Sequence, residues 1–211
     1  MNKALTQTFL ITILLFVGAG STLSAQKRHQ CINYQTSGDT SISGTLSQEE
    51  ISGIQFLREE EKLARDVYLY LYEIYPLRPF LNISGSEQMH MDAVKYLIDT
   101  YGLEDPVAND EHGVFKNTDL QALYNKLIEE GSKSAVDALK TGALIEEKDI
   151  ADLQHELDSS VKNPDVVRVY TNLKAASGNH LRAYVRNLTA RGVNYEPVIL
   201  DKETFSAIIG N

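Results

Sequence analysis

Cysteine occurs once in the 211 residues, at Cys31. A single thiol allows no internal disulfide, and it excludes zinc or iron–sulfur sites built from several cysteines. Basic residues are also scarce: 20 Lys and Arg stand against 29 Asp and Glu, a net charge of -9. That balance repels a phosphate backbone, so no nucleic acid is expected as a partner. Apolar runs long enough to matter are confined to the N-terminus, and no segment of useful length alternates with the period of a strand. In other respects the chain is ordinary, 43% hydrophobic and 23% charged, and long enough to bury a full core.

The N-terminus opens Met1-Asn2-Lys3, continues into an apolar stretch from Phe9 to Ala19, and ends in small residues up to Ala25. This pattern predicts a secretory signal peptide over residues 1–25. The apolar stretch falls short of the roughly 20 residues of a membrane span. The mature chain is therefore expected to lack a stable membrane span and to be exported, to the periplasm or the medium. Arg28-His29-Gln30 before Cys31 lacks the small apolar residues expected ahead of a lipid-modified cysteine. Residues 26–45 have no periodicity and read as a flexible leader, which leaves the folded domain at 46–211.

Helical signals then dominate. Ser47 and Glu50 form a capping box, with Leu46 and Ile51 placed for a hydrophobic staple. Ile54, Leu57, Ala64, Val67, Leu71 and Ile74 continue at helical spacing, which predicts a first long helix over about 48–75. A second long helix is expected from Ser84-Gly85-Ser86 to Gly102, and a short one from Asp119 to Glu130. A third long helix runs from Ser134 to Leu157, and a fourth opens on the Asn163-Pro164 pair and closes near Gly192. A last short helix fits Asp201 to Ile209. The class is all-α. About ten residues join the first pair of long helices and about five the second pair, while about thirty separate the pairs. Two antiparallel hairpins joined by one long crossover that holds a short extra helix predict a ferritin-like four-helix bundle.

Each long helix carries an ionisable residue on its apolar stripe. Glu60 and Glu61 lie between Leu57 and Ala64, and Glu87 and His90 precede Val94. Glu146 and Glu147 lie between Ala143 and Ile150, and His180 lies between Leu173 and Tyr184. Unpartnered carboxylates are costly to bury, so inward-facing ones at one level call for a compensating cation. Glu87 and His90 form an E-x-x-H, whose two side chains meet on one helix face. Bundles that bind two metals use a Glu from each of two helices and an E-x-x-H from the other two. Plainer readings exist for each part. Glu59-Glu60-Glu61 fits a solvated acidic face, Glu87 fits the N3 position of a capping box on Ser84, and His180 fits a hydrogen-bonded core histidine. Asp152-x-x-His155 lies off its stripe and reads as surface, and His112 and His29 fall in loops.

The strings EEEKLARDVY (59–68), SEQMHMDAV (86–94), GALIEEKDIADL (142–153) and SGNHLRAY (177–184) together resemble the ferritin-like family known as domain of unknown function 2202, over about residues 46–209. The resemblance implies a ferritin-like bundle from a bacterial or archaeal source, with no settled activity. Glu61 followed by Tyr68 is similar to the E-x6-Y of bacterioferritin and rubrerythrin first helices, which implies Glu61 rather than Glu60 as the ligand. One departure stands out: the fourth helix has Ser177, not Glu, three residues before His180.

Three functions compete. The first is a metal centre of one or two ions on Glu61, Glu87, His90, Glu146 or Glu147, and His180, with Tyr68 orienting a ligand or a bound oxygen species. Oxygen and imidazole donors without thiolates suit iron or manganese, with zinc as a further candidate. Open coordination positions would make it a di-metal oxidoreductase acting on O2 or peroxide. The second is a non-enzymatic metal-binding or interaction scaffold, which Ser177 favours. The third is a metal-free polar core in which the carboxylates are protonated or paired with Arg65, Arg182 or Arg186.

Overall fold

The computed structural model describes residues 44–210; the expected signal peptide, most of the leader, His29 and Cys31 lie outside them. Six helices and no strand are present among the described residues: α1 (Gln48–Ile74), α2 (Arg78–Tyr101), α3 (Thr118–Gly131), α4 (Ala135–Ser159), α5 (Pro164–Thr189) and α6 (Lys202–Ile209). None of these helices is long and apolar enough to cross a membrane.

The caps form where the sequence places them. Ser47 Oγ accepts the Glu50 N–H at 3.2 Å, and Glu50 Oε2 accepts the Ser47 N–H at 2.9 Å. Glu50 Oε1 also accepts the N–H groups of Lys162 and Asn163, so the start of α1 is tied to the turn between α4 and α5. One boundary differs from expectation. α2 begins at Arg78, not at Ser84, so only Tyr75-Pro76-Leu77 separates α1 from α2. Ser84 Oγ bonds back to Leu81 O within the helix, and Gly85 sits exposed beside it. Such residues weaken an isolated helix by about 1 kcal/mol or less, which packing along the length of α1 overrides. Glu87 is therefore deep in a helix and does not serve a cap.

The four long helices pack as a closed ring: α1 against α2 and α4, and α5 against α2 and α4. α3 leans on α1 and α4, and α6 on α5. The apolar interior falls into two clusters. One holds Ile54, Leu57, Val94, Leu97, Leu153, Val169 and Leu173. The other holds Leu63, Val67, Tyr68, Phe80, Ile83, Leu139, Ile150, Leu181 and Tyr184. Gly142 is required there, since a Cβ on it would stand 2.5 Å from the Tyr184 ring. Between the clusters lies a buried polar belt formed by residues 58–62 of α1, Glu87 and His90 of α2, Glu146, Glu147 and Asp149 of α4, and Ser177 and His180 of α5.

Candidate metal centre

Side chains from all four long helices converge in this belt. His90 Nδ1 lies 2.7 Å from Glu87 Oε2 and 3.1 Å from Glu61 Oε2. His180 Nδ1 lies 2.9 Å from Glu87 Oε1 and 3.4 Å from Glu146 Oε2. Glu87 is thus shared: one of its oxygens faces each histidine. Two groups, Glu61/Glu87/His90 and Glu87/Glu146/His180, each bring their donor atoms within 4.8 Å of one another, the spacing of a site that could hold an ion. The two rings stack with centroids 5.4 Å apart. Both Glu87 oxygens, Glu146 Oε2 and His180 Nδ1 are buried and have no partner beyond these ion-pair contacts, and Glu61 Oε1 is buried without a hydrogen bond.

Neighbouring groups orient these side chains. Tyr68 donates to Glu146 Oε1 at 2.6 Å, and the Ser86 hydroxyl meets His180 Nε2 at 3.0 Å, which leaves Nδ1 turned to the carboxylates. Partners of this kind fix ring orientation and ligand basicity in metal sites. Electrostatics follows from burial and from the charges facing one another. Burial pushes the Glu61 carboxyl up to about 8 against the pull of His90. Burial also raises Glu146, against the pull of His180. For Glu87 burial works the same way, but His90 and His180 together win and hold it well below the usual carboxylate range. Burial opposes charge on both imidazoles, yet the carboxylates prevail: His90 is held well above its ordinary value by Glu87 and Glu61, and His180 rises to about 10 beside Glu146 and Glu87.

Not every carboxylate on the stripes joins this group. Glu147 turns away from the histidines to the 195–200 segment, where Oε1 accepts the Tyr195 hydroxyl at 2.7 Å and Oε2 accepts the N–H groups of Val198, Ile199 and Leu200. Of the Glu146–Glu147 pair, only Glu146 faces the histidines. Glu60 pairs with Lys148 at 2.6 Å, and Glu59 accepts the N–H groups of Lys116 and Asn117. The acidic run is therefore buried, not a solvated face. Arg65 is committed to Asp66 and Asp110, and Arg182 to Ile208 O. Among the described residues, no Lys or Arg pairs with Glu61, Glu87 or Glu146. His155 and His112 are exposed and stand apart. Ser177 is buried, and its hydroxyl donates to Leu173 O. The sequence offered no motif for Asp149, which is buried with Oδ2 unpartnered; burial and the nearby Glu60, Glu61, Glu146 and Glu87 raise its carboxyl well above the ordinary range. Its one legible signal is its position one turn after Glu146.

Comparison with known proteins places the chain. It is 52% identical over 166 residues to the uncharacterized protein MJ0754 of Methanocaldococcus jannaschii, spanning 79% of this chain and 89% of that one. The crystal structure of the hypothetical protein MJ0754 superposes with a TM-score of 0.78, covering 80% of this chain and 95% of that chain. Residues 50–211 match the family described as an uncharacterized protein domain, DUF2202. The chain belongs to the DUF2202 family.

Proposed function

We propose that the ring of four long helices is a ferritin-like four-helix bundle holding a dinuclear iron or manganese centre in an exported protein. The observation that carries this reading is the meeting of three buried carboxylates and two imidazoles, with no Lys or Arg paired to them among the described residues. Buried carboxylates with too few cationic partners are costly, and two divalent cations, one in each group, would balance them. Glu61, Glu87 and His90 would hold one ion, and Glu87, Glu146 and His180 the other. The donor set is carboxylate and imidazole with no thiolate, which suits iron or manganese and admits zinc. When bound, such a pair supplies redox chemistry toward O2 or peroxide. Tyr68 keeps Glu146 turned to His180, Ser86 fixes the His180 ring, and the two apolar clusters exclude water from both sides. A non-catalytic metal-binding scaffold is the second reading, and Ser177 in place of a glutamate favours it.

The test is an anaerobic titration of the purified protein with Fe(II), Mn(II) and Zn(II). Two ions per chain are expected for the wild type. Glu87→Ala should lose both, and His90→Ala should lose much more than His155→Ala, with affinity falling roughly 100-fold or more. Equal stoichiometry in all four proteins would end the metal-centre reading. Oxygen and peroxide consumption by the loaded wild type then separates the enzyme from the scaffold.

Glu147 provides a contrasting prediction. Glu147→Ala should destabilise the protein by about 2–3 kcal/mol, because four donors from the 195–200 segment lose a charged acceptor. Metal stoichiometry should stay at the wild-type value. Urea unfolding and the same titration check both halves, and loss of an ion would return Glu147 to the ligand set.

A further inference from the structure

We propose that Asp149 is the fourth carboxylate ligand of the centre, taking the place that Ser177 leaves without a charge; this rests on the dinuclear reading above. Asp149 lies on α4 one turn beyond Glu146, and residues three apart share a helix face. It is 2% exposed, and Oδ2 receives no hydrogen bond; its carboxylate stands outside the two groups whose donor atoms lie within 4.8 Å of one another, so it would turn inward to reach an ion.

The other buried carboxylates outside the centre are all compensated. Glu50 caps α1 and accepts two N–H groups from the α4–α5 turn. Glu59 accepts N–H groups from residues 116–117. Glu60 has Lys148, Asp66 has Lys62 and Arg65, and Glu147 has Tyr195 and the 198–200 backbone. Asp149 has none of these. Burial acts on it first, and the largest charge effects come from Glu60, Glu61, Glu146 and Glu87, all of its own sign.

Charge arithmetic supplies the reason. Two divalent ions bring four positive charges, and neutral imidazoles bring none. Glu61, Glu87 and Glu146 return three negative charges, so the buried centre would keep a net charge of one. A net charge in a water-excluded belt is costly. Asp149 closes the balance. The Ser177 hydroxyl brings no charge and is already spent on Leu173 O at 3.2 Å.

The experiment uses the full chain, Mn(II) as the probe, and Asp149→Asn, which preserves shape and removes only the charge. Metal-free Asp149→Asn should melt at or above the wild type, because an uncompensated buried carboxylate is gone. On titration it should bind one ion with near wild-type affinity, and the second at least tenfold more weakly. At an Mn(II) concentration that fills both wild-type sites but leaves the weakened site of the variant largely empty, electron paramagnetic resonance should change from the broadened signal of a coupled Mn(II) pair to the sharp hyperfine lines of an isolated ion. A wild type that binds no ion would sink the dinuclear reading and this one with it. A wild type that binds two ions, beside an Asp149→Asn that binds two with unchanged affinity, would overturn the Asp149 assignment alone. A metal-free variant that melts far below the wild type would also overturn it, by showing Asp149 to be structural.

Discussion

Metal affinity is expected to climb steeply from about pH 6 to about pH 9, by roughly tenfold per pH unit for each imidazolium proton an ion must displace. His90 and His180 both face carboxylates and both hold protons above the ordinary histidine value, His180 up to about 10. Stability from a raised histidine is fully present below its unfolded value of about 6.5 and is lost as pH rises through the folded value. Glu61 works in the same direction. Its carboxyl is raised from 4.5 to about 8, so the fold favours its protonated form and loses stability as pH climbs across that window. Glu87 runs the other way, since its depressed carboxyl contributes stability above the usual carboxylate range and loses it only in strong acid. The metal-free protein should therefore melt progressively lower from about pH 6 to about pH 9. The metal-loaded protein should resist that decline, because binding to the folded state adds stability that grows with affinity. Calorimetry of both forms across this range checks the expectation. A gap between their melting temperatures that stays constant with pH would show that no histidine proton is exchanged for metal.

Replacing Asp66 by Ala should cost about 3–5 kcal/mol, a large share of the stability of a domain this size. Asp66 is fully buried and accepts from Lys62 Nζ at 2.5 Å, from Arg65 at 2.8 and 3.0 Å, and from the Gly113 N–H at 2.9 Å. Without it the buried Lys62 ammonium keeps only the Glu111 carbonyl and the face of Phe115, with its Nζ 4.5 Å from the ring centroid. The segment joining α2 to α3 would lose one of its ties to α1, the Gly113 N–H bond, at the same time. Two controls isolate the cause. Lys95→Ala, which breaks the exposed Lys95–Asp99 pair, should change stability by about 0.5 kcal/mol or less. Adding Lys62→Met to Asp66→Ala should recover much of the loss, since an apolar replacement needs no counter-charge. Urea unfolding measures all four proteins. A loss below about 1 kcal/mol for Asp66→Ala would mean that water reaches Lys62 when its partner is removed.

Helical periodicity and cap chemistry are local, and they were legible in the sequence. Ser47 with Glu50, and Asn163 ahead of Pro164, mark helix starts that the fold keeps. The spacing of Glu61, Glu87, His90 and His180 within apolar stripes placed them inside, because a residue's face on a helix follows from its number alone. What covers a face does not follow from its number. Glu146 and Glu147 are neighbours about 100° apart on α4, and both lie near the stripe. The segment at 195–200 settles the matter by taking Glu147 for itself. Glu59-Glu60-Glu61 fit a solvated acidic face by sequence, but the segment 103–117 folds over residues 58–66 and supplies Asp105, Asp110, Glu111 O and the N–H groups of Gly113, Lys116 and Asn117. The start of α2 moved to Arg78 because tertiary packing outweighs the weak helix propensity of Ser84-Gly85-Ser86. Asp149 lay hidden for the same reason: a carboxylate becomes an unpaired buried charge only once distant helices have closed around it and brought no cation.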